Sequence, residues 1–172
     1  MTWTVPDIVR PDEPFVADER AMLQGFLDFA RATLVRKCAG LTGEELARQA
    51  VPPSSLSLLG LVRHLTDVER TWFRRRFGGE DVASLYHRPD RPDAAFDDVD
   101  PARAEEHLAR LVDEWAAADR AVATLPLDHV FVSQRWGPMS LRWAYSHLTS
   151  EYNRHNGHAD LLRERVDGST GT

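Results

Sequence analysis

Residues 140–166, SLRWAYSHLTSEYNRHNGHADLLRERV, decide the fold, because their apolar side chains recur at helical spacing along one face. That stripe comprises Leu141, Ala144, Leu148, Tyr152, Ala159 and Leu162. Glu151 and His155 lie one helical turn apart, within the stripe or at its edge. A carboxylate and an imidazole that face the interior cost free energy unless a partner compensates them. Glu-x-x-x-His on a buried helix face can supply two ligands of one divalent metal, and a third must then come from elsewhere.

Three more stretches, 18–39, 57–77 and 101–125, have apolar residues at helical spacing. Between the first two, Thr42 and Glu45 have the spacing of a capping box, which predicts a short helix to about residue 49. Together with the last stretch, these make four long amphipathic helices with few strand signals. The sequence therefore predicts an all-α protein, a four-helix bundle with long connections between helices.

The remaining segments complete the predicted organisation. Residues 1–16 contain three prolines and predict an extended arm, residues 17–167 a single bundle domain, and residues 168–172 a polar tail. Residues 80–99 form the longest loop, and the alternation within 127–139 predicts a short extended segment. We expect these two connections to border the mouth of a pocket and to set substrate choice, since loops on a rigid scaffold commonly carry specificity.

Composition excludes several classes of function. The net charge of −6 argues against nucleic acid as the main partner, because phosphate binding requires a basic face. No apolar run approaches the roughly 20 residues of a membrane span, and the N-terminal residues lack the features of a signal peptide, so the cytoplasm is the expected location. Cys38, the only cysteine, is expected to be a small half-buried residue rather than a nucleophile.

His64 is the candidate for the third metal ligand. It lies at the border of the apolar stripe of the second long helix, one turn from Leu61 and from Val68. A single border histidine is usually a hydrogen-bonded packing residue. If the second and last long helices face each other, however, His64 is the imidazole that can meet Glu151 and His155.

Two other histidines of the last helix compete with these ligands. His147 is displaced from the core stripe, and His158 lies near Glu151 on the helical wheel but one turn beyond His155. The candidate ligands on this helix therefore rank in the order His155, Glu151, His158, His147. Both competitors could instead hydrogen-bond a ligand. The other histidines are expected on the surface: His87, His107 and His129.

Two neutral imidazoles and one carboxylate leave a coordination position open for water or substrate. Zinc is the first expectation, with nickel and iron as alternatives. The sequence lacks H-E-x-x-H, so a protease-type site has no support. The Trp and Tyr residues at helical positions are expected in the core or in the wall of a pocket.

Two motifs resemble those of the DinB superfamily of metal-binding four-helix bundles. They are residues 58–73, LLGLVRHLTDVERTWF, and residues 151–164, EYNRHNGHADLLRE. The resemblance covers most of the chain and implies His64, Glu151 and His155 as the metal ligands, with Glu151 in place of a histidine found in many members. The phrase RHNGHADLLRE resembles more narrowly an uncharacterised-domain subgroup that includes mycothiol S-transferases.

This resemblance implies a metal-dependent thiol S-transferase that conjugates mycothiol to an electrophile. A metal-bound thiolate would be the nucleophile, since the cation lowers the pKa of the thiol. Mycothiol rather than bacillithiol fits a composition in which Lys37 is the only lysine among 21 basic residues. Arg63, Arg142 and Arg154 are candidates to bind sugar or carboxylate groups of the thiol, or else are surface ion-pair partners.

Two other functions stay open from the sequence. One is metal-assisted isomerisation or hydrolysis with bound water as the reactive group, for which Asp67 and Asp160 are the candidate general bases. The other is a non-catalytic bundle that binds a ligand or a partner, with a structural metal or none. Exposed helix faces would also allow a homodimer. No motif names the physiological electrophile.

Overall fold

A computed structural model describes residues 2–171; Met1 and Thr172, the outermost residues of the predicted arm and tail, lie outside the described residues. The helices are α1 (Glu19–Cys38), α2 (Gly43–Ala47), α3 (Leu58–Glu69), α4 (Ala94–Asp97), α5 (Ala104–Val122) and α6 (Leu141–Asp167). A π-helix (Arg70–Phe77) continues α3, a 3₁₀ turn (Pro101–Arg103) precedes α5, and strands β1 (Val130–Ser133) and β2 (Gly137–Ser140) precede α6. The prediction of an all-α fold is confirmed.

The core lies between α1, α3 with its π-helical continuation, α5 and α6. Helix α1 packs along α6, α3 packs on both α5 and α6, and the π-helix packs on α5. All six apolar residues of the predicted α6 stripe are buried. Val5 is also buried and bonds through its backbone with Leu41 and Gly40, which ties the N-terminal segment to the bundle.

Local capping chemistry sets several helix boundaries. The Thr42 hydroxyl accepts a hydrogen bond from the Glu45 amide, and Glu45 accepts one from the Thr42 amide, so the predicted capping box is confirmed. Ser140 caps the first turn of α6 by accepting a bond from the Trp143 amide. Gly168 ends α6 with φ of 81°, a left-handed conformation that favours glycine.

The second long helix does not continue as a regular α-helix to Phe77. Its last eight residues form a π-helix, which ends where the Gly78 amide donates to the Phe73 carbonyl. Residues four apart on this segment share a face, so Arg70 and Arg74 both donate to the buried carboxylate of Glu114 on α5. Trp72 and Arg76 form a second such pair on the opposite side, next to a pocket.

The two connections predicted as loops contain more structure than expected. Residues 94–97 within the 80–99 connection form α4, which packs against α3. The 127–139 connection forms an antiparallel hairpin in which Val130 pairs with Ser140 and Ser133 with Gly137. The predicted extended segment is therefore confirmed, with β2 as its partner.

A charged network crosses the centre of the bundle. Arg31 on α1 is 2% exposed and donates two hydrogen bonds, of 2.7 and 2.8 Å, to the fully buried carboxylate of Glu69 on α3. A third donor of Arg31 reaches Asp119 on α5. These bonds join three of the four long helices. None of the helices formed by residues 2–171 has both the length and the apolar character of a membrane span.

Candidate functional site

Three polar side chains from α3 and α6 converge at one edge of the bundle. The Nε2 atom of His64 lies 4.0 Å from Oε2 of Glu151, and the Nε2 atom of His155 lies 3.6 Å from the same oxygen. One donor atom from each residue lies within 4.8 Å of the other two. Helices α3 and α6 therefore face each other, as His64 requires in order to meet Glu151 and His155.

The bundle core fixes where these side chains emerge. On α6, Leu148 and Tyr152 are buried, so the neighbouring positions Glu151 and His155 are held at the margin of the core. His64 is anchored on α3 in the same way and is 30% exposed at its side chain. The Phe96 ring of α4 covers the His64 ring at 5.3 Å between centroids.

Burial favours the neutral form of both imidazoles. The pKa of His155 is lowered to about 4, by burial first and then by the positive charge that His64, His158 and Arg154 can carry. The pKa of His64 is also lowered by burial, although the carboxylate of Glu151 opposes the change. A neutral imidazole keeps a lone pair free for a metal, whereas a protonated one does not.

The donor set fits a small divalent cation. In a tetrahedral site, nitrogen and carboxylate oxygen atoms about 2.0–2.2 Å from one zinc ion lie roughly 3.3–3.6 Å apart. The Nε2 atom of His155 lies at this spacing from Glu151 Oε2, and that of His64 lies a few tenths of an ångström beyond it. One carboxylate and two neutral imidazoles supply a single negative charge, so a divalent cation bound here would keep part of its positive charge.

The two competing histidines lie beside the cluster and are not part of it. The Nδ1 atom of His158 is 3.2 Å from Nδ1 of His155, so it can hold that ring by a hydrogen bond and leave Nε2 turned towards Glu151. His147 stacks on Trp143 at 4.6 Å and meets the edge of Trp72 at 4.8 Å. His147 therefore forms part of an aromatic wall.

A pocket of about 410 Å³ adjoins the cluster. Its wall includes residues from α3, the π-helix, the 80–99 connection and the hairpin: His64, Trp72, Arg76, His87, Phe96 and Trp136. Both predicted loops thus contribute to the pocket.

The family of the chain can now be assigned. A family model described as mycothiol-S-transferase matches residues 22–168, which include both helices that carry the cluster. The chain belongs to this family. No curated protein sequence matches it significantly. Membership agrees with the resemblance of residues 58–73 and 151–164 to the DinB superfamily and its mycothiol-dependent branch.

Within this mycothiol-S-transferase fold, neither candidate general base is free. Asp67 is buried, and its carboxylate accepts hydrogen bonds of 2.7–2.8 Å from the backbone amides of Leu85, Tyr86 and His87. It therefore anchors the 80–99 connection. Asp160 pairs with Lys37 beside the C-terminus of α1, away from the pocket that His64 lines.

The three candidate arginines also differ from one another. Arg63 is buried, donates to the carbonyls of Asp98 and Ala94 and lies 4.7 Å from the Tyr86 ring, so it holds the 80–99 connection. Arg142 forms an ion pair with Glu19 at the protein surface. Arg154 is exposed, directly precedes His155 in the sequence, and its charge contributes to lowering the pKa of that imidazole.

Several roles were missed or misjudged from the sequence. His107 is not a surface residue: it is 2% exposed, and its Nδ1 lies 2.9 Å from the Tyr86 hydroxyl. Cys38 is fully rather than half buried, and burial raises the pKa of its thiol to about 12, which makes it a poor nucleophile. Arg76, in the wall of the pocket, was not singled out; its spacing of four from Trp72 was the available signal.

Proposed function

We propose that this protein is a metal-dependent mycothiol S-transferase in which His64, Glu151 and His155 hold one divalent cation, zinc in the first instance. The observation that carries the proposal is the convergence of these three donors beside a pocket. Family membership supports mycothiol as the thiol substrate. The proposed location is the cytoplasm, where a small-molecule thiol and an electrophile would be its partners.

A divalent cation at this site would lower the pKa of a coordinated thiol and favour its thiolate near neutral pH. The chain's own residues would prepare the site for that chemistry. His158 would orient the His155 ring, and burial favours the neutral form of His155 and His64. The single carboxylate of Glu151 leaves room for a second anionic ligand on electrostatic grounds.

The thiol route also needs less from the surrounding residues than the alternatives. Hydrolysis or isomerisation through bound water requires a general base within hydrogen-bond reach of the reacting group. Asp67 lines the pocket but its carboxylate accepts hydrogen bonds from three backbone amides, and Asp160 pairs with Lys37 elsewhere. A thiol proton, by contrast, can leave to solvent once the thiol is acidified.

Purified protein should be assayed with mycothiol and monochlorobimane, with and without a chelator. We expect transfer that the chelator abolishes and that added zinc restores. Glu151→Gln keeps the shape of the side chain but removes its charge, so it should reduce both metal content and transfer. The matched control His129→Ala, in the connection before β1, should change neither.

Two results would separate the remaining functions. Metal-dependent hydrolysis or isomerisation without any thiol transfer would favour the bound-water enzyme. No transfer and no metal in a folded protein would leave a non-catalytic bundle. Transfer at the normal rate by a metal-free variant would contradict the proposed role of the cluster.

A further inference from the structure

Arg76 lies in the wall of the pocket next to three aromatic rings. Its guanidinium carbon is 3.9 Å from the centroid of the Trp72 ring and 5.8–5.9 Å from those of Trp136 and Phe131. Among residues 2–171, no hydrogen bond or ion pair engages this guanidinium. The neighbouring arginines differ, since Arg74 binds Glu80 and Glu114.

The partly buried, aromatic surroundings of Arg76 disfavour the charged form of its guanidinium. Its pKa is lowered by burial first and by Arg75 second. A partly buried guanidinium held against aromatic rings keeps its hydrogen-bond donors available while its stem is fixed. Such a group gains more from an incoming anion than a solvated surface arginine does, because little further order is required.

The same pocket has aromatic side chains in its wall next to the candidate metal cluster. Phe96 and the exposed Trp136 line it, and Phe96 also covers the His64 ring. Trp72 is only 8% exposed and lies beneath the Arg76 guanidinium. An aromatic ring on this wall would have its reactive substituent near the cluster. Aromatic contacts of this kind favour planar ligands over aliphatic ones of equal size.

We propose that this pocket selects an aromatic electrophile that carries an anionic group, with the ring against Trp136 and Phe96 and the anion paired with Arg76. The inference rests on the proposed thiol transfer and specifies the class of its second substrate. For a benzylic bromide, the mycothiol sulfur forms a bond to the benzylic carbon as the carbon–bromine bond breaks. Bromide leaves with the bonding electron pair, and the thiol proton passes to solvent.

Binding can be tested without any reaction. Isothermal titration calorimetry should compare para-toluate with para-toluamide, which share a ring and differ in charge. We expect toluate to bind about 10- to 100-fold more tightly, the range for a charge-assisted hydrogen bond. Arg76→Met, which keeps an apolar stem over Trp72, should remove this preference, and Arg76→Lys should retain part of it. Arg75→Gln, an exposed neighbour that loses the same charge, is the control and should leave it unchanged.

Turnover then tests the substrate class. The rates for para-(bromomethyl)benzoate and para-(bromomethyl)benzamide with mycothiol are each divided by the uncatalysed rate of the same compound. This rate enhancement should be larger for the benzoate in the wild type, and the difference should be lost in Arg76→Met. Equal binding of the two toluyl probes, no binding of either, or a preference that survives Arg76→Met would overturn the inference. The last result would indicate that the carboxylate binds the metal instead. Absent turnover of these bromides and of monochlorobimane, with a preserved binding preference, would reject the proposed transferase but not the anion site.

Discussion

The buried histidine His107 should make the stability of the protein depend on pH. Burial first, and then Arg63 and Arg103, lower its pKa from 6.5 to about 4. Below about pH 6.5 the unfolded chain binds a proton at this residue that the folded chain does not, so the free energy of unfolding falls as the pH drops towards 4. The two pKa values differ by an amount equivalent to about 3 kcal/mol, of which roughly 1–2 kcal/mol should be lost between about pH 7 and pH 5.

Urea unfolding followed by far-ultraviolet circular dichroism, on chelator-treated protein at both pH values, measures this loss. His107→Gln keeps a side chain that can hydrogen-bond but does not titrate, so its loss should be smaller than that of the wild type by about 1–2 kcal/mol. Because His64 and His155 titrate in both proteins, the difference isolates His107. His87→Gln, at an exposed position, is the control. Equal pH dependence in wild type and His107→Gln would refute the reasoning.

Three further changes test the network, the anchored connection and the pocket. Glu69→Gln leaves Arg31 buried without a full counter-charge and should lower the free energy of unfolding by about 3–5 kcal/mol in denaturant titrations. Asp28→Asn, at a partly exposed partner of Arg31, should lower it by under about 1 kcal/mol, and similar values for the two variants would contradict this reasoning. Asp67→Asn should speed hydrogen exchange at the three amides it accepts from while metal content stays constant, and unchanged exchange would exclude its anchoring role. Trp136→Ala should raise the KM for aromatic electrophiles at constant metal content, and an unchanged KM would place the substrate elsewhere.

Features that depend on local chemistry or on periodicity could be predicted from the sequence. The capping box of Thr42 and Glu45 and the Ser140 cap involve residues within one turn of each other. The α6 stripe needed only the spacing of apolar residues. The meeting of His64 with α6 required one further assumption, that two amphipathic helices face each other in the bundle.

Features that depend on distant partners could not be predicted in the same way. The π-helix is accompanied by the bonds from Arg70 and Arg74 to Glu114, a residue about 40 positions away in sequence. Asp67 was a reasonable candidate base until the fold brought three backbone amides to its carboxylate.

His107 is a different case, because a signal for its burial was present. Ala104, His107, Leu108 and Leu111 follow the spacing of three and four that marks a buried face, and all four are buried. The polar imidazole led to the prediction of a surface position, although the apolar neighbours on that helix face indicate an interior one. The Tyr86 hydroxyl that satisfies it comes from another segment.

The central claim is that His64, Glu151 and His155 hold a metal, and metal content measures it most directly. Elemental analysis of the purified wild type, dialysed against metal-free buffer after loading with zinc, should give one divalent ion per chain. His64→Ala and His155→Ala should each lose it, while His129→Ala keeps it, with folding of all variants checked by circular dichroism. Unchanged occupancy in both ligand variants would contradict the account.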